Sequence, residues 1–178
     1  MAEFSDALKE AYASNPVGEV ILETLEFIHP AFVDENGNPD SLRMVNDATD
    51  LYATLEASAP RLPGQQVQFT AFPFQATLPG FELGQTPSLT IAVDNVGREL
   101  TAQLEAATAS QEPIVVIYRV YLLSDLSGPQ MDPPLAMTLI KATADLTKVA
   151  VTATLDDVTN VPYPRRLYTP DDFPGLVR

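Results

Sequence analysis

The chain has 178 residues, 46% hydrophobic and 19% charged, with no cysteine and a formal net charge of -14. That length carries one domain with a real core rather than two. The charge opposes nucleic-acid and anionic-membrane partners, and the lack of cysteine removes disulfides, thiolate metal sites and thiol nucleophiles. Association must therefore use specific apolar or tail-mediated contacts. Residues Met1 to Ala13 include Glu3, Asp6, Lys9 and Glu10, so they lack the apolar core of a signal peptide. No run approaches the length of a transmembrane span.

Ser5 is placed to cap a short helix from Asp6 to about Ala13, with Asp6 in the first turn. Phe4, Leu8, Ala11 and Tyr12 share one face at helical spacing. Ser14-Asn15-Pro16 ends it. Val17 to Ile28 reads as a strand with apolar residues on both parities, covered in part on both sides and ending at His29-Pro30. Asn36-Gly37 predicts a hairpin or long turn leading into a strand over Ser41–Val45. The segment from Ala48 to Arg61 reads as irregular, with a short strand near Tyr52.

Gln66 to Leu78 carries the strongest β pattern of the first half, interrupted by Pro73, which marks an edge, a bulge or a switch between sheets. Leu89, Ile91 and Val93 alternate with Ser88, Thr90 and Ala92 as in a half-buried strand. A short helix follows from about Arg98 to Ala109, with Leu100, Leu104 and Ala107 inward. The run IVVIYRVYLL after Pro113 is the longest apolar one and predicts a central strand. After the turn Ser124–Gly128 and a proline-rich excursion to Pro134, Leu135 to Ala144 and Lys148 to Leu155 read as two more strands. Seven or so strands and two short helices predict a mainly β single domain, a β-sandwich or partly open β-barrel. Its expected parts are an N-terminal helical arm over 1–16, a β-rich domain over 17–159 and an extended tail over 160–178.

That tail, NVPYPRRLYTPDDFPGLVR, is broken by Pro162, Pro164, Pro170 and Pro174, so it is neither a central strand nor an uninterrupted helix. Tyr163, Tyr168 and Phe173 suit docking on a surface, and Arg165 and Arg166 suit pairing with an acidic one.

Catalytic signatures are weak. His29 is the only histidine, and no G-x-S-x-G elbow presents a nucleophile. Asp34, Asn36, Asn38 and Asp40 alternate like the start of a calcium loop, but Pro39 and Val45 stand where that loop needs Gly and a bidentate acid. A solvated hairpin turn is the better reading. Asp156-Asp157 and Asp171-Asp172 are adjacent pairs, whereas a glycosidase needs carboxylates facing across a cleft. The eight glycines form no phosphate-binding motif. No catalytic residue, cofactor or metal ligand is expected.

Several motifs occur in one order from about Phe4 to Leu176: SNPVGEV, a strand ending IHP, RMVND, FTAFPFQATLP, LTIAVDNVGREL and NVPYPRRLYTPDDFPGL. In this the chain resembles minor tail proteins of long-tailed bacteriophages and prophages, a family often catalogued as a domain of unknown function. Val93-Asp94-Asn95-Val96 and Tyr168 to Leu176 are the most specific matches. One departure is Leu51-Tyr52-Ala53-Thr54 and the residues on to Arg61, longer than the family's usual turn. The resemblance implies a virion component of the tail tip, a distal-tail or hub-type piece joining tube to baseplate or central fibre, assembled in the host cytoplasm. It further implies partners that are copies of itself in a ring and the tube, hub and fibre proteins. Tyr163, Arg165, Arg166, Tyr168 and Phe173 then become expected subunit-interface residues on a neighbouring copy. A carbohydrate- or receptor-binding β module and a small cell-wall hydrolase are the alternatives.

Overall fold

The structure is a computed structural model and describes residues 3–14, 16, 18–34, 37–77, 88–94, 104–105, 107, 110, 112–145 and 148–155. Strand β1 (Glu3–Phe4) precedes helix α1 (Asp6–Ser14), followed by β2 (Ile21–Val33), β3 (Pro39–Val45), β4 (Leu51–Thr54), β5 (Gln66–Ala71) and β6 (Phe74–Thr77). The remaining strands are β7 (Ser88–Asp94), β8 (Val115–Leu122), β9 (Met131–Asp132), β10 (Leu135–Ala144) and β11 (Lys148–Thr154). The described residues thus hold more strands than the seven or so expected, because short pairs such as β1 with β9 leave little periodicity to read.

Ser5 caps α1: its Oγ accepts from the Leu8 amide at 3.1 Å and donates to Gln130 Oε1 at 2.7 Å. The cap thereby also ties the helix to the loop before β9. Leu8 and Ala11 are buried, while Phe4 and Tyr12 of the predicted face are exposed. In the predicted second helix, Leu104, Glu105 and Ala107 are helical, with Leu104 and Ala107 buried; Leu100 lies outside the described residues.

One sheet has the order β4-β5-β3-β2-β8-β10-β11-β7-β6, and a second joins β1 to β9. Among the described residues all strand pairings are antiparallel except β3 with β5. Strand β8 stands at the centre, as its apolar run requires. Only Phe72 and Pro73 separate β5 from β6, yet those strands sit near opposite ends of the order. The sheet must curl until its two ends approach each other. Phe72 N–H bonds the Val45 carbonyl at 2.9 Å, and Phe74 N–H bonds Asn46 Oδ1 at 3.3 Å, fixing the crossing at the end of β3. Proline, with no donor for a ladder, is suited to that switch.

Strand β2 runs on past Pro30 instead of ending there. Its pairing with β8 stops at Ile28, and its pairing with β3 shifts register between Ile28 and Val33. Pro30 therefore interrupts no ladder bond.

The curled sheet encloses the main core. Leu25 and Phe27 of β2, Val116, Tyr118 and Val120 of β8, Ile91 and Val93 of β7, and Val149 and Val151 of β11 all point inward. A buried aliphatic or aromatic side chain of this size contributes about 1.5–3 kcal/mol by leaving water. A smaller core lies on the other face of β2, β3 and β8, where Leu22, Val45 and Tyr121 meet Ala53, Leu55, Val67 and Phe69. The central strands are therefore covered on both sides, as apolar residues on both parities of β2 require.

Candidate functional site

The chemistry of the described residues concentrates beside the smaller core. Glu26 and Arg43 are opposite each other on β2 and β3, and Arg119 of β8 is a diagonal neighbour of Glu26. The segment after β4 brings Glu56 over them. Arg119 donates to Glu56 twice, from Nε to Oε2 at 2.7 Å and from Nη2 to Oε1 at 2.8 Å, and from Nη1 to Glu26 Oε2 at 2.8 Å. Arg43 Nε bonds the other Glu26 oxygen at 3.1 Å, and its Nη1 reaches Asp40 at 3.1 Å. Glu26 and Arg119 are fully buried, Arg43 is 9% exposed and Glu56 13%. Two carboxylates against two guanidiniums keep the buried set neutral, the condition under which charges are tolerated at depth.

Burial opposes the charge of Arg119, but the hydrogen bonds and charges of Glu56 and Glu26 outweigh it and hold the guanidinium above the ordinary arginine value. Burial also pushes the Tyr121 phenol up, with Arg119 pulling it back and Glu56 opposing that pull. The Tyr121 hydroxyl donates to the Thr54 carbonyl at 3.0 Å, and its ring tilts against Phe69 with centroids 6.0 Å apart.

Arg61 completes the arrangement by bonding the carbonyls of Asp40 and, at 3.1 Å, His29. The segment between β4 and β5 is thus clamped on the sheet by Glu56 and Arg61. Arg119 and both oxygens of Glu26 are engaged, which suits a clamp rather than proton transfer. Ser41 Oγ and Arg43 Nη2 are sealed from solvent with no hydrogen-bond partner of their own. They lie beside a depression of about 320 Å³ between β3 and β5, lined also by Asp40, Leu42, Gln68 and Thr70.

His29 is buried, and both ring nitrogens are in use. Its Nδ1 accepts from the Ala31 amide at 3.0 Å, which leaves Nε2 to donate to the Glu112 carbonyl at 3.1 Å. The ring packs on Phe32 with centroids 5.4 Å apart. It pins the irregular end of β2 and has no free lone pair for a metal or a substrate. The hairpin after β2 is present too: Asp34 Oδ1 accepts from the Asn38 amide at 2.8 Å, and Gly37 takes a φ of 82°. Asn36 lies outside the described residues. Among the described residues no group of His, Asp or Glu is placed to hold a metal ion, and no helix is long and apolar enough to cross a membrane.

The expected interface residues Tyr163, Arg165, Arg166, Tyr168 and Phe173, and the acid pairs Asp156-Asp157 and Asp171-Asp172, lie outside the described residues. Sequence reasoning passed over Glu26, Arg43, Glu56 and Arg119. The signal was there: Arg119 interrupts IVVIYRVYLL and Glu26 sits in LETLEFI, and a charge inside a strand buried on both faces needs a partner.

No curated protein matches the sequence. A family model described as a domain of unknown function matches residues 7–168, a span that takes in Tyr163, Arg165, Arg166 and Tyr168 and stops before Phe173. The chain therefore belongs to the DUF1833 family.

Proposed function

We propose that the protein is a non-enzymatic structural component of a bacteriophage tail tip, a distal-tail or hub-type minor tail protein. In this reading it joins the tail tube to the baseplate or central fibre as one of several copies around the tail axis. The ordered motifs from SNPVGEV to the C-terminal NVPYPRRLYTPDDFPGL support the identification with tail proteins.

The observation that carries the assembly role is the surface. Large apolar side chains stand exposed on an otherwise strongly acidic chain: Tyr12 at 53%, Tyr52 at 54%, Leu123 at 50% and Ile140 at 54%. They sit on four separate parts of the fold: on α1, on the terminal strand β4, after β8 and on β10. A ring subunit with neighbours on two sides and tail proteins above and below needs contacts in several directions. The network of Glu26, Arg43, Arg119 and Glu56 suits the same role, because it holds the segment between β4 and β5 rigidly against the sheet. Quantitative mass spectrometry of purified tails tests the proposal. It expects this chain in a fixed ratio of several copies per particle; its confinement to the unassembled fraction would overturn the reading.

A further inference from the structure

The parallel strands β3 and β5 pair only at Met44 with Thr70 and Val45 with Ala71. Before those pairs the strands part, and the depression of about 320 Å³ lies between them. Its volume is at the lower end of small-molecule sites, which run from about 300 to 1,000 Å³. Side chains alternate along a strand, so Leu42, Gln68 and Thr70 belong to one face of the sheet. Ser41 and Arg43 belong to the other, which Val45 shares with the smaller core. The gap lets both faces line one depression. Gln68 and Thr70 are exposed at its mouth, and Ser41 and Arg43 are buried at its floor.

The floor holds unused donors. Arg43 gives Nε to Glu26 and Nη1 to Asp40, each at 3.1 Å, while its Nη2 and the Ser41 hydroxyl have no partner. Buried groups of this kind are normally satisfied, so each calls for a partner that the fold itself does not supply. The mouth holds unused acceptors. Asp40 engages Oδ1 with the Ser41 amide at 2.7 Å and with Arg43, which leaves Oδ2. Gln68 donates its amide N–H to Asp50 at 2.8 Å, which leaves its oxygen. Thr70 adds a hydroxyl, able to give and to accept. We propose that the depression binds a neutral sugar ring, with adjacent hydroxyls bridging Arg43 and Ser41 at the floor to Asp40, Gln68 and Thr70 at the mouth.

Charge selects this class of ligand. A free anion would meet the Asp40 carboxylate, and a cation would meet the Arg43 guanidinium. The formal net charge of -14 adds to the case against an anion. Hydroxyl groups each donate and accept, so neighbouring ones on a ring answer a lining of mixed donors and acceptors. Leu42, half-buried, supplies an apolar wall for the carbon framework. Glu26 and Asp40 already fix the Arg43 guanidinium, so Nη2 is presented without further ordering on binding. The inference goes beyond the tail-tip proposal and does not depend on it.

Amide NMR spectra of the isotope-labelled full chain test the proposal, with methyl glycosides of glucose, galactose and mannose and N-acetylglucosamine as probes. At least one of these sugars is expected to shift the amides of Ser41, Arg43, Gln68 and Thr70 along a saturable curve in the millimolar range. Gln68→Ala and Thr70→Val change exposed side chains, so the remaining spectrum should stay native. Each should weaken that sugar by at least about threefold, the loss of one hydrogen bond. Sodium sulfate, sodium acetate and acetamide at the same concentrations should leave these amides in place. No saturable shift with any of the sugars would leave the depression to water and overturn the proposal. Shifts confined to other strands, or undiminished binding by both variants, would overturn it as well. Saturation by sulfate or acetate would make the site an anion site, and saturation by acetamide alone a site for an amide; either result contradicts the sugar.

Discussion

Arg119 is the side chain on which the smaller core depends most, and replacing it with Met measures that dependence. The substitution keeps most of the volume and removes all three hydrogen bonds to Glu56 and Glu26. Glu26, fully buried, then retains Arg43 alone, and Glu56 loses both bonds of the fork. Removing one partner of a buried ion pair costs about 3–5 kcal/mol, because the other charge stays at depth without compensation. In a domain of this size each kcal/mol moves the melting temperature by about 2–4 °C, so the expected fall is roughly 6–20 °C. Urea unfolding of Arg119→Met, Glu26→Gln and the double variant gives the cycle. Glu26→Gln should be costly in the native background and nearly neutral or restorative once Arg119 is gone, with a coupling of about 1–3 kcal/mol. A single variant within about 0.5 kcal/mol of the native protein, or strictly additive effects, would refute the clamp.

Ser5→Ala removes the N-cap and the bond to Gln130, and should cost about 1 kcal/mol in thermal unfolding while leaving the rest of the fold unchanged. His29→Ala strands the Ala31 amide and the Glu112 carbonyl and should cost about 1–3 kcal/mol in urea unfolding; on the tail-tip proposal, virion infectivity at permissive temperature should persist. Burial raises the phenols of Tyr118 and Tyr121, with the Glu23 charge raising Tyr118 further. Because the folded state holds these protons more tightly than the unfolded state, their contribution is fully present below about pH 10 and is lost as pH rises above it. Phenolate absorbance should therefore show tyrosines that ionise only in step with alkaline unfolding. Titration of all six tyrosines on one early curve, ahead of any loss of structure, would contradict the burial of those hydroxyls.

Local features of the fold were legible in the residues. Ser5 before DALKEAYA, the alternation of Leu89, Ile91 and Val93, and the apolar run around Tyr118 each act through neighbours in sequence or through one buried face. Pro73 was legible as a break, but the distance it spans was not: nothing local tells β6 to pair with β7 while β5 pairs with β3 and β4. That outcome depends on the curl of the whole sheet. Pro30 misleads for a related reason, since a proline is harmless where the register shift leaves no ladder bond to lose. The ion network shows a different gap. Arg119 and Glu26 announce themselves as charges in buried strands, but Glu56 is contributed by an irregular segment whose position follows from the packing of Leu55 and Ala59. The partner set becomes readable only once β4 and β5 are in place.

The most direct test of the functional account is a reconstruction of the tail tip from purified particles. The account predicts density for this chain in several copies around the tail axis, between the tube and the baseplate or central fibre, with exposed residues such as Tyr52 and Leu123 covered by neighbours. A complete tail tip in which every density is explained without this chain would contradict it.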